Sequence, residues 1–416
     1  MMLVRVADQL AFGETIANRL LELAALSDEP GRLTRLYLGP AHRRATDLVA
    51  YWMRDAGMSV RVDPLASVVG RYEARDGGGK TLLIGSHIDS VRNAGRFDGP
   101  LGVVTAIEVV KAAFKSGKRF PFAIEVVAFG DEEGVRFAST LSGSRALAGT
   151  FDDSALDELD EDAISRREAL TAFGCDPSHL AAEKRPADRC IGYVEVHIEQ
   201  GPVLEKEGLP LGVVTAIDGV TRGSVDVEGI AGHAGTVPMS MRHDALAAAA
   251  EMLLAVEEWA RTHPNLVATV GKLEVPRSAP NTIPGRVRFT LDIRSPSDDE
   301  RANAVADIKD TVAAIAQRRG VTQRYTPGHQ APAAQCDERL SDQLAAAALA
   351  CGETPKRMPS GAGHDAMAFD RIIPFAMLFV RCRGGISHNP DEFASPADID
   401  IAARVLAAFL DRIENP

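Results

Sequence analysis

The chain is poor in cysteine, in long apolar runs and in excess basic charge, and each shortage closes off a class of protein. Five cysteines stand in 416 residues, at Cys175, Cys190, Cys336, Cys351 and Cys382. The number is odd and no C-x-x-C occurs, so neither a disulfide framework nor a thiolate metal site is indicated, and a reducing compartment fits. The longest apolar runs, such as "LAAAALA", fall far short of the roughly 20 residues that a membrane-spanning helix needs. The opening "MMLVRVADQLAFGETIANRL" carries charges throughout and reads as an amphipathic helix without the apolar core of a signal peptide, so a cytoplasmic location is expected. The formal net charge of −12 disfavours nucleic acid and anionic membrane as partners, because both need a basic face. The charge is spread along the chain apart from an acidic stretch from Asp152 to Asp162, which reads as a solvated loop or helix face.

What is present is ordinary for a globular protein: 45% hydrophobic and 25% charged residues. A chain of this length exceeds one ordinary core, so two domains are expected. The first half alternates. Helical stretches near 8–26 and 41–57 precede the strand-like "VRVDPLASVVGRY". The strand "KTLLIGSH", a helix from Gly102 to Lys115 and the strand "FAIEVVAFGDEEG" follow. This alternation predicts an α/β domain with a mostly parallel sheet covered on both faces. From 213 to 328 the texture changes. A strand leads to an "AGHAGTVPM" loop, an Ala-rich helix (Asp244 to Arg261) and the strand "NLVATVGKLEV". The turn "RSAPNTIPG", the strand "RVRFTLDIRS" and a helix near 298–318 complete it. This segment reads as a small α+β domain, an antiparallel sheet with two helices. It is inserted into a discontinuous catalytic domain made of 1–212 and 329–416. The heptapeptide "LGVVTAI" occurs at both 101–107 and 211–217. Its first copy runs into a helical period and its second into strand alternation, so the repeat is coincidental and two conformations are expected.

The stretch "LLIGSHIDSVRNAGRFDG" leaves an apolar strand at Gly85 and places His87, Asp89 and Asp98 on glycine-rich turns. Ligands gather at the carboxyl ends of strands in parallel sheets. Other ionisable residues on strand-end loops are Glu132 and Glu133 in "DEEG", His197 and Glu199 in "VEVHIEQG", and His388 in "GGISHNP". Histidine and carboxylate donors without thiolate suit zinc, manganese or cobalt. Three His and two carboxylates suffice for two ions if one carboxylate bridges. Taken singly, each has a structural explanation: a turn Asp, a helix-terminal acid or a packed His. Their placement on successive strand ends is what points to a metal site.

Taken together, "GSHIDSVRNAGRFDG", "DEEGVRF", "HIEQGPVLE", "AGHAGTVPM", "PNTIPG", "DIRS", "PSGAGHDA" and "GISHNPDE" resemble the hydantoinase/carbamoylase-type amidases. That family comprises N-carbamoyl-L-amino-acid hydrolases, β-ureidopropionases and allantoate amidohydrolases, within the wider group of di-metal aminoacylases and carboxypeptidases. The resemblance implies two divalent ions per subunit, Zn²⁺, Mn²⁺ or Co²⁺. His87, Asp98 and His197 would hold one, and the bridging Asp98 with Glu133 and His388 the other. It implies Asp89 as the residue orienting His87, Glu132 as general base and His233 as an oxyanion donor lent by the partner subunit of a homodimer. Arg222, Asn281, Arg294 and Gln200 match substrate contacts. The implied activity is hydrolysis of an N-carbamoyl-L-amino acid to amino acid, CO₂ and NH₃. The alternatives are allantoate or N-carbamoyl-β-alanine as substrate, a peptidase or aminoacylase, and a non-catalytic relative. The chain departs from the family at Arg381-Cys382-Arg383, where many relatives carry a proline and a serine, so the loop before His388 is expected to shape the substrate pocket differently.

Overall fold

The computed structural model describes residues 12–413. The first helix spans Phe12–Ala24, and the 8–11 part of the expected helix lies outside the described residues. The chain divides into two compact units. One runs to Thr215 and includes Cys336–Met358 and the chain from Ala362 on; the other comprises Ala216–Gln335 and Pro359–Gly361.

The first unit is built on a sheet whose centre is parallel. Thr81–His87 pairs in parallel with Ala123–Phe129 on one side and with Cys190–Ile198 on the other, and Phe375–Val380 pairs in parallel with Cys190–Ile198. Every residue of these four strands is buried. Strands covered on both faces have no solvent side, so they read as continuous apolar runs. Antiparallel neighbours flank the centre. Val68–Tyr72 lies against Ala123–Phe129, and Leu211–Ile217 against Phe375–Val380. "VRVDPLASVVGRY" is a hairpin of Ser59–Val62 and Val68–Tyr72 rather than one strand. Asp63 turns it, accepting the amides of Leu65 and Ser67 through Oδ1.

The helix Pro100–Lys115 packs along the strands Thr81–His87 and Cys190–Ile198. Contact is close at Gly102, where a Cβ would lie 2.2 Å from the Val196 carbonyl oxygen. Gly102 belongs to the first "LGVVTAI", which is helical, while the second copy is the strand Leu211–Ile217. One heptapeptide thus takes two conformations, each set by its neighbours.

The second unit has an antiparallel sheet in the order Leu273–Glu274, Arg286–Ser295, Gly219–Glu228, Thr322–Ala331, with Val267–Thr269 also on Arg286–Ser295. The expected strand over "NLVATVGKLEV" is therefore two short pieces. Arg286–Ser295 alternates strictly in burial. Val287, Phe289, Leu291 and Ile293 pack with Ala248, Met252, Ile308 and Val312 of the helices Ala245–Arg261 and Asp298–Arg319. Asp244 caps the first helix through the amides of Leu246 and Ala247, and Ser297 the second through Glu300.

The acidic stretch is not merely solvated: Glu158 pairs with buried Arg166 at 3.1 Å and Asp160 with Arg136 at 3.0 Å. These partners lie outside the stretch, so charge composition could not reveal them. Among the described residues no helix is long and apolar enough to cross a membrane.

Gly102→Ala should destabilise the first unit by about 1–3 kcal/mol, because the added methyl must push the helix off the sheet. Urea unfolding monitored by circular dichroism measures this; unchanged stability would mean that the contact relaxes freely.

Candidate metal centre

The four parallel strands end at one edge of the sheet, and each delivers a donor there. His87 is the last residue of its strand and His197 the last but one of its own. Ala123–Phe129 runs on into Asp131, Glu132 and Glu133, and Phe375–Val380 into the loop that ends at His388. Asp98 comes from the turn between the strand Thr81–His87 and the helix Pro100–Lys115. Gly99 closes that turn at φ +81°, and a Cβ there would lie 2.5 Å from the His87 ring, so only glycine fits.

Asp98 is the centre of the cluster. Its Oδ1 faces His197 Nε2 at 3.2 Å and His87 Nε2 at 3.6 Å. Its Oδ2 faces His388 Nε2 at 3.2 Å, and the same His388 nitrogen lies 3.6 Å from Glu133 Oε2. Two donor groups result, His87–Asp98–His197 and Asp98–Glu133–His388, and the ligand atoms within each lie no more than 4.8 Å apart. Glu132 borders the first, with Oε2 4.0 Å from His87 Nε2. A third group, Glu195–His197–His364, adjoins them. The Glu195 carboxylate is already committed to Ser86 Oγ at 2.8 Å, Tyr193 Oη at 3.2 Å and the Ala366 amide at 3.1 Å.

The far nitrogens of the histidines are held. His87 Nδ1 lies 3.2 Å from the Asp89 carbonyl and 3.4 Å from Asp89 Oδ1, and His197 Nδ1 lies 2.9 Å from the Ile198 carbonyl. Carbonyl partners demand Nδ1–H, so each ring turns Nε2 toward Asp98: protonated, it hydrogen-bonds the carboxylate, and neutral, it would offer its lone pair to a cation. The Asp89 carboxylate also accepts the amides of Glu132 and Glu133 at 3.1–3.2 Å, so one acid fixes both a histidine and the "DEE" turn.

The electrostatics follow from burial of several acids at one point. Burial works against the Asp98 charge, yet the three histidines hold its carboxyl well below the usual range. Burial, with the Asp98 charge beside it, pushes Glu133 up to about 7. Burial also drives Glu132 well above the ordinary glutamate value. The hydrogen bond to Asp98 raises His388 to about 9. Three carboxyls, the buried imidazoles of His87 and His197 and the exposed one of His388 form a donor set that divalent cations fit, and the absence of thiolate favours zinc, manganese or cobalt over soft ions.

Several supporting residues were not assigned from sequence. Glu392 is buried, and its Oε1 accepts the amides of Phe97 and Asp98 at 2.8 and 3.1 Å. Ser387 Oγ lies 3.0 Å from Glu392 Oε2 and 2.9 Å from Asp98 Oδ2, and its single proton serves one of the two. Gly95 lacks a side chain where a Cβ would meet Glu392 at 2.3 Å. Arg166 is fully buried and donates to Asp131, Ser139, Ser142 and Glu158, anchoring the loop that carries Glu132 and Glu133. The available signal for Glu392 was its place in "GISHNPDE"; Arg166 had none.

Gln200 sits beside this network at φ +56°, its Nε2 donating to Asp98 Oδ2 at 2.9 Å and to Ser387 Oγ at 3.1 Å. At the departure Arg381–Arg383 only Cys382 is buried, and Arg383 is exposed. Arg381 pairs with Asp398 at 2.7 Å, the Cys382 thiol lies 3.6 Å from the Gly201 carbonyl, and Arg383 stacks over Phe393.

The other four candidates lie in the second unit. Gly232–His233 pairs with Thr282–Ile283, which brings "AGHAG" and "PNTIPG" together, and the Asn281 carbonyl accepts the Ala234 amide at 2.9 Å. His233 Nδ1 accepts the Gly235 amide at 3.0 Å, so in the neutral ring the proton is on Nε2. Arg222 and Arg294 both donate to Asp292.

Comparison with known proteins gives a consistent result. The peptidase family M20/M25/M40 matches residues 83–412. An allantoate deiminase of Glycine max is 42% identical, over 97% of this chain and 90% of its own. An N-carbamoyl-L-amino acid amidohydrolase of Geobacillus stearothermophilus is 41% identical, over 95% of this chain and 97% of its own. A hydantoinase/carbamoylase family amidase of Burkholderia multivorans superposes with a TM-score of 0.91 at 35% identity, covering 96% of this chain and 97% of that one.

Glu392→Ala removes the acceptor for the Phe97 and Asp98 amides and should weaken binding of Zn²⁺ or Mn²⁺ by about 10–100-fold. Competition with a chromophoric chelator measures it. Wild-type affinity in the folded variant would show that the Asp98 turn holds without Glu392.

Proposed function

The chain belongs to peptidase family M20/M25/M40 and to its hydantoinase/carbamoylase amidases, and from that premise we propose that it hydrolyses the ureido group of an N-carbamoyl-L-amino acid to amino acid, CO₂ and NH₃. It is a hydrolase of C–N bonds outside peptides, in a family that depends on metal. The observation that carries the reading is the Asp98 carboxylate, whose two oxygens face two separate donor groups with Glu132 beside them.

His87, Asp98 and His197 would hold one divalent ion, and Asp98, Glu133 and His388 a second. When bound, such ions polarise the ureido carbonyl and lower the pKa of water. Glu132 takes the proton from the attacking water and returns it to the leaving nitrogen. Its burial raises the carboxyl's affinity for a proton, which strengthens it as the base that accepts one from the water. Gln200, next to Asp98, orients the ureido group. His233 donates from Nε2 to the developing oxyanion. Arg222, Asn281 and Arg294 receive the substrate carboxylate, the charge-assisted kind of contact that an arginine pair makes best. In a homodimer with a shared site, His233 of the partner subunit would serve the metal centre of the first chain.

Allantoate, which carries two ureido groups on one acid, is the second reading, favoured by the 42% identity to an allantoate deiminase over nearly the whole chain. Ammonia release by metal-reconstituted enzyme separates the two, with release of free amino acids read for the dipeptide. The panel is allantoate, N-carbamoyl-β-alanine, N-carbamoyl-L- and D-methionine, and a dipeptide. Turnover of N-carbamoyl-L-methionine above the others is expected. Cleavage of the dipeptide alone would overturn the ureido reading.

Glu132→Gln keeps size and shape but cannot take a proton. It should bind metal and lose roughly 10²–10⁴-fold in kcat; near-normal turnover with metal bound would leave Glu132 a structural acid. His233→Ala should lose roughly 10²–10³-fold in kcat with unchanged metal content. Exchange of subunits between the two variants should restore activity. Confirmed heterodimers without regained activity would exclude the shared site.

A further inference from the structure

Arg222, Asp292 and Arg294 form a trio on one face of the second unit's sheet. Strand register sets Asp292 directly opposite Arg222. Arg294 follows two residues later, the spacing that returns a side chain to the same face. The intervening Leu291 and Ile293 are buried against the helices, so the trio stands on the opposite face. Asp292 accepts from Arg294 through both oxygens, Nε to Oδ1 at 2.8 Å and Nη2 to Oδ2 at 3.1 Å. Its Oδ2 also accepts Arg222 Nε at 2.8 Å. Arg294 Nη1 donates to the Gly361 carbonyl at 2.6 Å. One acid therefore ties both guanidinium planes, while N–H groups on Arg222 Nη1 and Nη2, and one on each Nη of Arg294, are not taken by it.

The charges do not cancel in full. Burial opposes the Asp292 charge, but the bonds from Arg294 and Arg222 hold its carboxyl below the usual range, so it is ionised at neutral pH. Asp218, whose carboxyl also feels the Arg294 charge, is pushed up to about 7 by burial and is only partly ionised there. Within the trio itself, two cations and one anion leave one net positive charge, which a partly ionised Asp218 reduces without cancelling.

We infer that Asp292 sets the charge class of the substrate: it leaves the Arg222–Arg294 pair matched to a ureido acid with one carboxylate and mismatched to one carrying a second carboxylate nearby. This rests on the reading that the two arginines receive the substrate carboxylate. With Asp292 in place, a first carboxylate uses the remaining positive charge, and a second meets the Asp292 anion. Without its charge, the pair would offer two cations to two anions.

The test compares N-carbamoyl-L-aspartate with N-carbamoyl-L-asparagine, which share shape and differ by one charge. In wild-type enzyme kcat/KM should favour the asparagine derivative. Asp292→Asn is isosteric; it removes the charge and one of the two acceptor oxygens. It should raise the aspartate-to-asparagine ratio about tenfold, mainly through KM, the scale of one unit charge at close range in a partly solvated site. The asparagine-to-alanine ratio should stay unchanged, since neither side chain is charged. Asp292→Ser serves the same comparison if the Asn variant melts early. An unchanged aspartate-to-asparagine ratio in a folded variant overturns the inference. Arg294→Lys distinguishes the underlying reading. If it leaves KM unchanged for every ureido acid, the arginine pair does not bind the carboxylate. If it raises KM while Asp292→Asn leaves the ratio fixed, only the role of Asp292 fails.

Discussion

A carboxylate can face two groups of metal-ligating side chains only if both oxygens are presented and the group cannot rotate, and the surroundings of Asp98 meet both conditions. Oδ1 looks toward His87 and His197, Oδ2 toward His388, and Gln200 and Ser387 approach Oδ2 from the protein side. The backbone beneath is clamped by Glu392 through two amides. The rest of the centre is arranged around this one group. The histidines point their Nε2 atoms at it, and the charge of Asp98 helps keep Glu133 and His388 away from their ordinary protonation range.

The cost of this arrangement is carried by the sheet. Crowding buried acids is unfavourable by several kcal/mol per unpaired charge, and a flexible scaffold would spread them apart. Four parallel strands buried on both faces form a rigid platform, and the donors sit within a few residues of where those strands stop. The supports reach in from distant sequence. Glu392 lies 294 positions from Asp98, and Arg166 lies 35 positions beyond Asp131. Asp89 ties His87 to the "DEE" turn across a neighbouring strand end. Each makes several bonds to backbone or charged groups, the kind of bond that orients rather than merely fills space.

The second unit follows a different logic. Its sheet has one face on two helices and the other free to carry polar groups, and a strict alternation along Arg286–Ser295 separates the two. That alternation places Asp292 and Arg294 together and opposite Arg222. An ion trio on a partly exposed sheet face adds little stability.

The alternation of apolar strands and helical periods, the change of texture near 213 and the donors on strand-end turns were all legible in the sequence, because each is a local pattern with its own period or turn chemistry. The strand Arg286–Ser295 has the same bounds in sequence and structure, because alternate burial writes itself directly into residue type. What stayed hidden was whatever depends on a partner far along the chain. "LGVVTAI" is a helix at 101–107 and a strand at 211–217, a difference that no property of the seven residues themselves can contain. The Arg166 hub, the Glu392 clamp and the turning of Gln200 onto Asp98 are likewise contacts between remote segments. Composition and spacing name the residue types available for such contacts; only the folded chain decides which of them meet.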